Sequence, residues 1–207
     1  MARINNGITG AFHGKVGPIV GATWKGIPYM RSLPEKPKTK RKASKKAKTA
    51  RDKFAMAQYW LRPLLDFVRE GFKGYTPTVE GFIAAKSYLM KNAMETTDNG
   101  TMIDPAKVQV SYGDLPLPGD ISVEKNGNEL IFSWDAEDDS NYKYDQCMLL
   151  AYDVEKKAVS LKLTGQFRYT GSDSLPIYTN KHRYHVYIAF VAADRSRRSH
   201  SVYLGEW

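Results

Sequence analysis

The chain has 207 residues, 42% hydrophobic and 26% charged, with a formal net charge of +9 at pH 7. That length admits one domain or two small ones, and the composition is that of an ordinary globular protein rather than a disordered or fibrous one. No run of about 18 apolar residues is present to form a bilayer-spanning helix, and the single Cys147 has no internal disulfide partner, which fits a reducing compartment.

The start, MARINNGITGAFHGKVGPIVG, is interrupted by Gly7, Gly10, Gly14, Gly17 and Pro18. A signal peptide needs an unbroken apolar stretch, so none is read. A cytoplasmic location is expected, with a phage-like or exported assembly left open. Residues 1–34 form a glycine-rich arm. Lys25-Gly26 predicts a tight turn between strands Val16–Trp24 and Ile27–Arg31, and Pro18 predicts an edge or a bulge in the first strand. Such a hairpin has too little side-chain mass to stand alone in water. Val16, Trp24, Ile27, Tyr29 and Met30 are therefore the expected assembly contacts, covered by another protein chain, a second copy included, or by this chain's own helices. Within the arm, Gly10–Val16 approaches a phosphate-loop pattern. The spacing is one residue short, Val16 replaces the metal-binding hydroxyl, and no helix pattern follows, so close backbone packing is the better reading.

Residues 36–53, KPKTKRKASKKAKTARDK, hold ten Lys or Arg and one acid, so the rest of the chain sums to zero. Two readings stand. One is a solvated leader into a helix, because Ala and Lys are good helix formers. The other is a grip on nucleic acid or another polyanion through Lys36, Lys38, Lys40, Arg41, Lys42, Lys45, Lys46, Lys48 and Arg51. The run itself holds no aromatic ring, the nearest being Tyr29, Phe54, Tyr59 and Trp60, so that grip would be backbone-directed and weakly selective.

Ala47, Ala50, Phe54, Ala57, Leu61, Leu64 and Val68 recur at alternating spacings of three and four and predict a helical face. Pro63 should kink it and Gly71 stop it. Thr76-Pro77 reads as a cap and first turn of a second helix reaching about Met94, burying Val79, Phe82, Ile83, Leu89 and Met90. Asn99-Gly100 is a turn, and Val108 with Val110 suggests a short strand. Residues 35–114 thus form a basic segment, a two-helix unit and a strand. Leu-Pro-Leu-Pro at 115–118 reads as a linker.

From 119 onward the pattern becomes β. Seven strands are predicted: Ile121–Glu124, Glu129–Trp134, Gln146–Val154, Val159–Leu163, Gln166–Tyr169, His182–Ala192 and Ser199–Leu204. In YHVYIAFVAADRSRRSHS, Tyr184, Val186, Ile188, Phe190 and Ala192 share one face, and Trp134 stands in LIFSW. This stretch resembles the penultimate strand, following turn and core tryptophan of fibronectin type III domains, except that DRSRRS lacks the usual glycine. The resemblance covers residues 119–207 and implies a seven-stranded β-sandwich that positions, spaces or binds.

Catalytic signals are weak. Cys147 sits in an apolar run and reads as a buried core thiol. His182 and His185, on one strand, would point to opposite faces and make poor joint ligands. Asp135, Glu137, Asp138 and Asp139 form an acidic turn without calcium-loop spacing. No catalytic, cofactor-binding or metal residue is assigned. Gly14–Gly17, Trp24–Gly26, Tyr29–Arg31 and Arg51–Phe54 carry Gly-Lys-Val-Gly, Trp-Lys-Gly, Tyr-x-Arg and Arg-x-Lys-Phe motifs. With the helical stretch and a C-terminal sandwich, they resemble a family of uncharacterised bacterial proteins, which implies architecture and no activity. The expectation is an α+β chain, with a hairpin arm and two-helix unit before a fibronectin type III-like sandwich. Its expected role is that of a non-enzymatic structural or assembly protein, the alternative being non-sequence-specific nucleic-acid binding.

Overall fold

The computed structural model describes residues 2–4, 10–34, 44–97, 100–136, 141–178 and 182–207. The chain falls into two compact units, residues 1–44 and 45–207.

The first unit is a four-stranded antiparallel meander: β1 (Arg3–Ile4), β2 (Phe12–Val16), β3 (Ile19–Trp24) and β4 (Ile27–Ser32), in that spatial order. Lys25 (φ 48°) and Gly26 (φ 80°) make the expected β3–β4 turn, and two positive φ angles match the right-handed twist of the strands they join. The single strand expected over Val16–Trp24 is broken instead. Gly17 takes φ 55° and Val16 pairs with Ile19, so Pro18 sits in a second two-residue turn rather than at a bulge. Phe12–Val16 of the phosphate-loop-like stretch is a paired strand. Gly21 is required where it stands, because a Cβ there would lie 2.1 Å from the Phe12 carbonyl oxygen.

The second unit begins with α1 (Lys45–Leu61). A 3₁₀ turn at Arg62–Leu64 holds Pro63 and leads into α2 (Leu65–Gly71). The helical spacing buries Ala57, Leu61, Leu64 and Val68 as expected, but Phe54 stays half exposed. Gly71 ends α2 and also admits close packing, since a Cβ there would lie 2.3 Å from the Val110 carbonyl. The next helix, α3 (Gly81–Asn92), starts later than expected. Thr76 closes a local turn by accepting from the Val79 amide at 2.9 Å. Gly81, at φ 58°, donates its N–H back to Phe72, so no helix can run through 77–81. That shift turns Ile83 outward, 65% exposed, and buries Ala84, Ala85 and Leu89.

A hairpin of β5 (Met94–Thr97) and β6 (Gly100–Ile103) follows; Asn99 lies outside the described residues. Val108 and Val110 are buried in extended chain that forms no strand. Val110 donates to Ser201 Oγ at 3.0 Å, and Tyr112 donates to the Gly71 carbonyl at 3.0 Å. The stretch expected as a linker is packed as well. Leu115 is buried and bonded to the Arg198 carbonyl, and Pro116 accepts from the Arg168 guanidinium at 2.8 Å. Residues 115–118 thus lie within the second compact unit.

The remaining strands are β7 (Ser122–Asn126), β8 (Glu129–Ser133), β9 (Gln146–Asp153), β10 (Ala158–Lys162), β11 (Ser172–Pro176), β12 (His185–Val191) and β13 (Val202–Glu206). They form two antiparallel sheets, ordered β10-β9-β12-β13 and β11-β8-β7. The strand expected at Gln166–Tyr169 is a correction. Arg168–Thr170 makes a 3₁₀ turn ended by Gly171 at φ 72°, and the pairing strand is β11. Buried Arg168 fixes this corner, its carbonyl accepting from Trp134 Nε1 at 2.7 Å.

The four-stranded sheet buries both faces. Cys147, Leu149, Ala151, Val186, Ile188 and Phe190 share a core with Val123, Leu130, Phe132 and Leu175 of the other sheet. The alternate residues Met148, Leu150, Tyr152, Tyr187, Ala189 and Val191 share a second core with Trp60, Leu61, Phe67 and Leu89 of the helices. Trp134 joins the first core as expected, edge-on to Phe190 at 5.4 Å.

Candidate functional site

In an antiparallel sheet, residues in register share a face and successive residues alternate. Val16, Ile19 and Ser32 are in register, as are Gly21 and Met30. This face is apolar or neutral in these rows. On the opposite face lie three other rows: Lys15 with Val20 and Arg31, Ala22 with Tyr29, and Trp24 with Ile27. The five expected assembly contacts therefore divide, Val16 and Met30 on one face and Trp24, Ile27 and Tyr29 on the other. Trp24, Ile27 and Tyr29 line a shallow hollow of about 500 Å³, and Lys25 Nζ lies 6.0 Å from the Trp24 ring centre.

The sheet lacks a core of its own. Among the described residues of 2–34 only Gly21 is buried. Ile4, Val16, Ile19, Trp24, Ile27, Tyr29, Met30 and Leu33 are all exposed. The same stretch contains Arg3, Lys15, Lys25 and Arg31 but no Asp or Glu.

Of the expected polyanion residues, Lys36, Lys38, Lys40, Arg41 and Lys42 lie outside the described residues. Lys45, Lys46, Lys48 and Arg51 are exposed on the first turns of α1. Lys45 and Lys46 share one helix face with Lys53, around a shallow hollow of about 580 Å³. Lys53 was not among the expected residues, although its i, i+8 relation to Lys45 marks the same face.

Polar side chains also gather in a hollow of about 460 Å³ at the ends of β9, β12 and β13, lined by Asp153, Glu155, His182, Arg183, His185 and Glu206. This corrects the expected divergence of the two histidines. His182 precedes β12, so strand alternation does not govern its direction. Its Nδ1 lies 3.3 Å from Asp153 Oδ2. The other Asp153 oxygen accepts from the Glu155 and Lys156 amides at 2.8 and 2.9 Å, building the β9–β10 turn. His185 Nδ1 is 2.9 Å from the Tyr203 hydroxyl, and burial pushes the imidazole pKa down against the opposing pull of Glu206 and Asp153. Glu137, Asp138 and Asp139 lie outside the described residues. Among the described residues, no three His, Cys, Asp or Glu side chains are grouped to hold a metal ion.

Cys147 is fully buried, and its thiol donates to Asp173 Oδ2 at 3.3 Å. Burial, and then the Asp173 charge, push the thiol pKa far up. A thiol held protonated is a poor nucleophile. The core reading of Cys147 thus holds, with a carboxylate partner that its apolar sequence neighbours gave no sign of.

Helices and antiparallel sheets on one chain define a mixed α+β protein, and its N-terminal sheet exposes Val16, Ile19, Trp24, Ile27, Tyr29 and Met30. Residues 4–205 match a family of unknown function, DUF6266, and the chain belongs to that family. No curated protein and no solved structure matches it. No helix among the described residues is long and apolar enough to cross a membrane.

Proposed function

We propose that the chain is a non-enzymatic structural or assembly protein that makes protein–protein contacts through its N-terminal sheet. The two C-terminal sheets act as a fibronectin type III-like sandwich that displays a second contact surface. The carrying observation is the core-less first sheet, where Gly21 is the only buried residue among those described in 2–34. A β-sheet is stable in water when at least one face is covered. The rows of Val16 with Ile19 and Ser32, and of Gly21 with Met30, hold no charged side chain and suit a protein surface, and β4 is an edge strand among the described residues, open to strand addition. Against catalysis stands the use of Asp153 in turn-building and the protonated Cys147. Light scattering on the eluting full chain tests the reading. Mass above the monomer that rises with concentration, and falls when Ile19→Ser and Met30→Ser are combined, is the expected result.

A second reading is favoured by the exposed cations of α1. There the chain holds a polyanion without sequence preference through residues 36–53. With about eight phosphate contacts, log K falls with log salt at a slope near −7. Replacing Lys40, Arg41, Lys42, Lys45, Lys46 and Lys48 with Gln is expected to abolish the salt-sensitive binding; unchanged duplex binding eliminates this reading.

A further inference from the structure

We infer that the Trp24/Ile27/Tyr29 face of the N-terminal sheet binds single-stranded nucleic acid, with the bases stacked on Trp24 and Tyr29 and the phosphates held by Lys15, Lys25 and Arg31. It is separable from the assembly reading, whose test varies Ile19 and Met30 on the opposite face. It goes beyond the polyanion reading, which invokes charge alone.

The distribution of charge between the faces carries the inference. Lys15 and Arg31 are in register with Val20, so both belong to the face of Trp24 and Tyr29. All four of these residues are exposed. Trp24 pairs with Ile27 and Tyr29 with Ala22, which places the two rings on adjacent strands as diagonal neighbours. Diagonal same-face positions lie about 7–8 Å apart, a span that consecutive unstacked bases can bridge. Ala22, between the rows, leaves the rings clear of bulky neighbours on β3. Lys25, in the connecting turn, holds its ammonium near the Trp24 ring. Residues 1–34 contain no acid to repel a phosphate.

A purely apolar partner surface would offer Lys15 and Arg31 no counter-charge, whereas a polyanion supplies one. Duplex DNA keeps its base faces inside the stack, so two rings flanked by cations select unpaired bases. The aromatic platform that the lysine-rich run lacks is thus supplied by the sheet.

The test is fluorescence anisotropy of a labelled oligothymidylate, and of a labelled duplex of equal length, titrated with the full chain at two salt concentrations. The single strand is expected to bind more tightly than the duplex. Trp24→Ala and Tyr29→Ala should each weaken single-strand binding about tenfold while hardly changing duplex binding, and Trp24→Phe should keep most of the affinity. Both rings are exposed, so a circular-dichroism spectrum like that of the parent separates lost stacking from lost folding. Unchanged oligothymidylate affinity in both alanine variants overturns the inference, as does a duplex that binds as well as the single strand. If the same variants change the oligomeric mass but not the affinity, a protein covers this face and the inference is equally overturned. Ile19→Ser reads the assembly proposal separately, because it should lower the mass and leave oligothymidylate binding intact.

Discussion

Asp173 is nearly buried, yet its carboxylate receives four donors: Lys162 Nζ and the Ser174 amide at 2.8 Å, the Gln166 amide at 2.9 Å, and the Cys147 thiol at 3.3 Å. Burial pushes the Asp173 carboxyl pKa up, but the Lys162 ammonium and the other donors outweigh it and hold the group below its ordinary value. The unfolded chain therefore binds the proton more readily, and stability rises with pH. The contribution is fully present above the ordinary aspartate range and is lost as pH falls through the folded-state value. Asp173→Asn is expected to flatten the acid limb of stability and to cost about 1–3 kcal/mol at neutral pH, read by urea melts across pH; an unchanged acid limb contradicts this. Buried Cys147 was legible from its apolar neighbours. Asp173 was not, because 26 residues separate it from the thiol and only the pairing of β9 and β11 with their neighbours brings the two together. The hollow holding His182 and His185 is hidden in the sequence for a related reason, since strand alternation does not govern a histidine that precedes the strand.

At the scale of elements, periodicity found α1 and the strands with long apolar runs. QCMLLAYD and HVYIAFV are buried along nearly their whole length, as an unbroken apolar run requires when both faces are covered. β11 escaped because SDSLP has little of the branched and aromatic character that marks strands. The stretch 115–118 reads as a linker by its prolines, and no local signal betrays the buried arginine that packs it. Arg198 joins α2 to the last sheet in the same manner. Its guanidinium pairs with Glu70 Oε1, donates to the Glu70 carbonyl at 3.1 Å, and donates to the Arg195 carbonyl at 2.6 Å. Arg195 itself occupies the left-handed region at φ 60°, within the turn whose missing glycine the sequence had exposed. Removing one member of such a pair strands the other charge. Glu70→Ala is expected to cost about 3 kcal/mol, the low end for a buried pair because the Glu70 side chain is 24% exposed. Adding Arg198→Met should recover much of the loss in thermal melts. A Glu70→Ala protein as stable as its parent denies the pair its structural role.

Across the whole molecule, charge and core are separated. Residues 1–44 carry nine of the 31 Lys and Arg but one of the 22 acids, while both hydrophobic cores lie in residues 45–207. The first half of that division was visible in the sequence as a glycine-rich, acid-poor start followed by a lysine run. The Lys25-Gly26 turn legible in the sequence already puts Trp24, Ile27, Tyr29 and Arg31 on one face, whereas the places of Lys15 and Val16 depend on the extra turn at Gly17-Pro18, which the sequence did not announce. Size-exclusion chromatography with light scattering on the full chain, over a range of concentrations and at two salt levels, tests most directly the claim that this sheet works by being covered. The predicted result is a mass above the 23.4 kDa of one chain, rising with concentration and reduced by Ile19→Ser with Met30→Ser. A single 23.4-kDa species under every condition, unaltered by those substitutions, contradicts it.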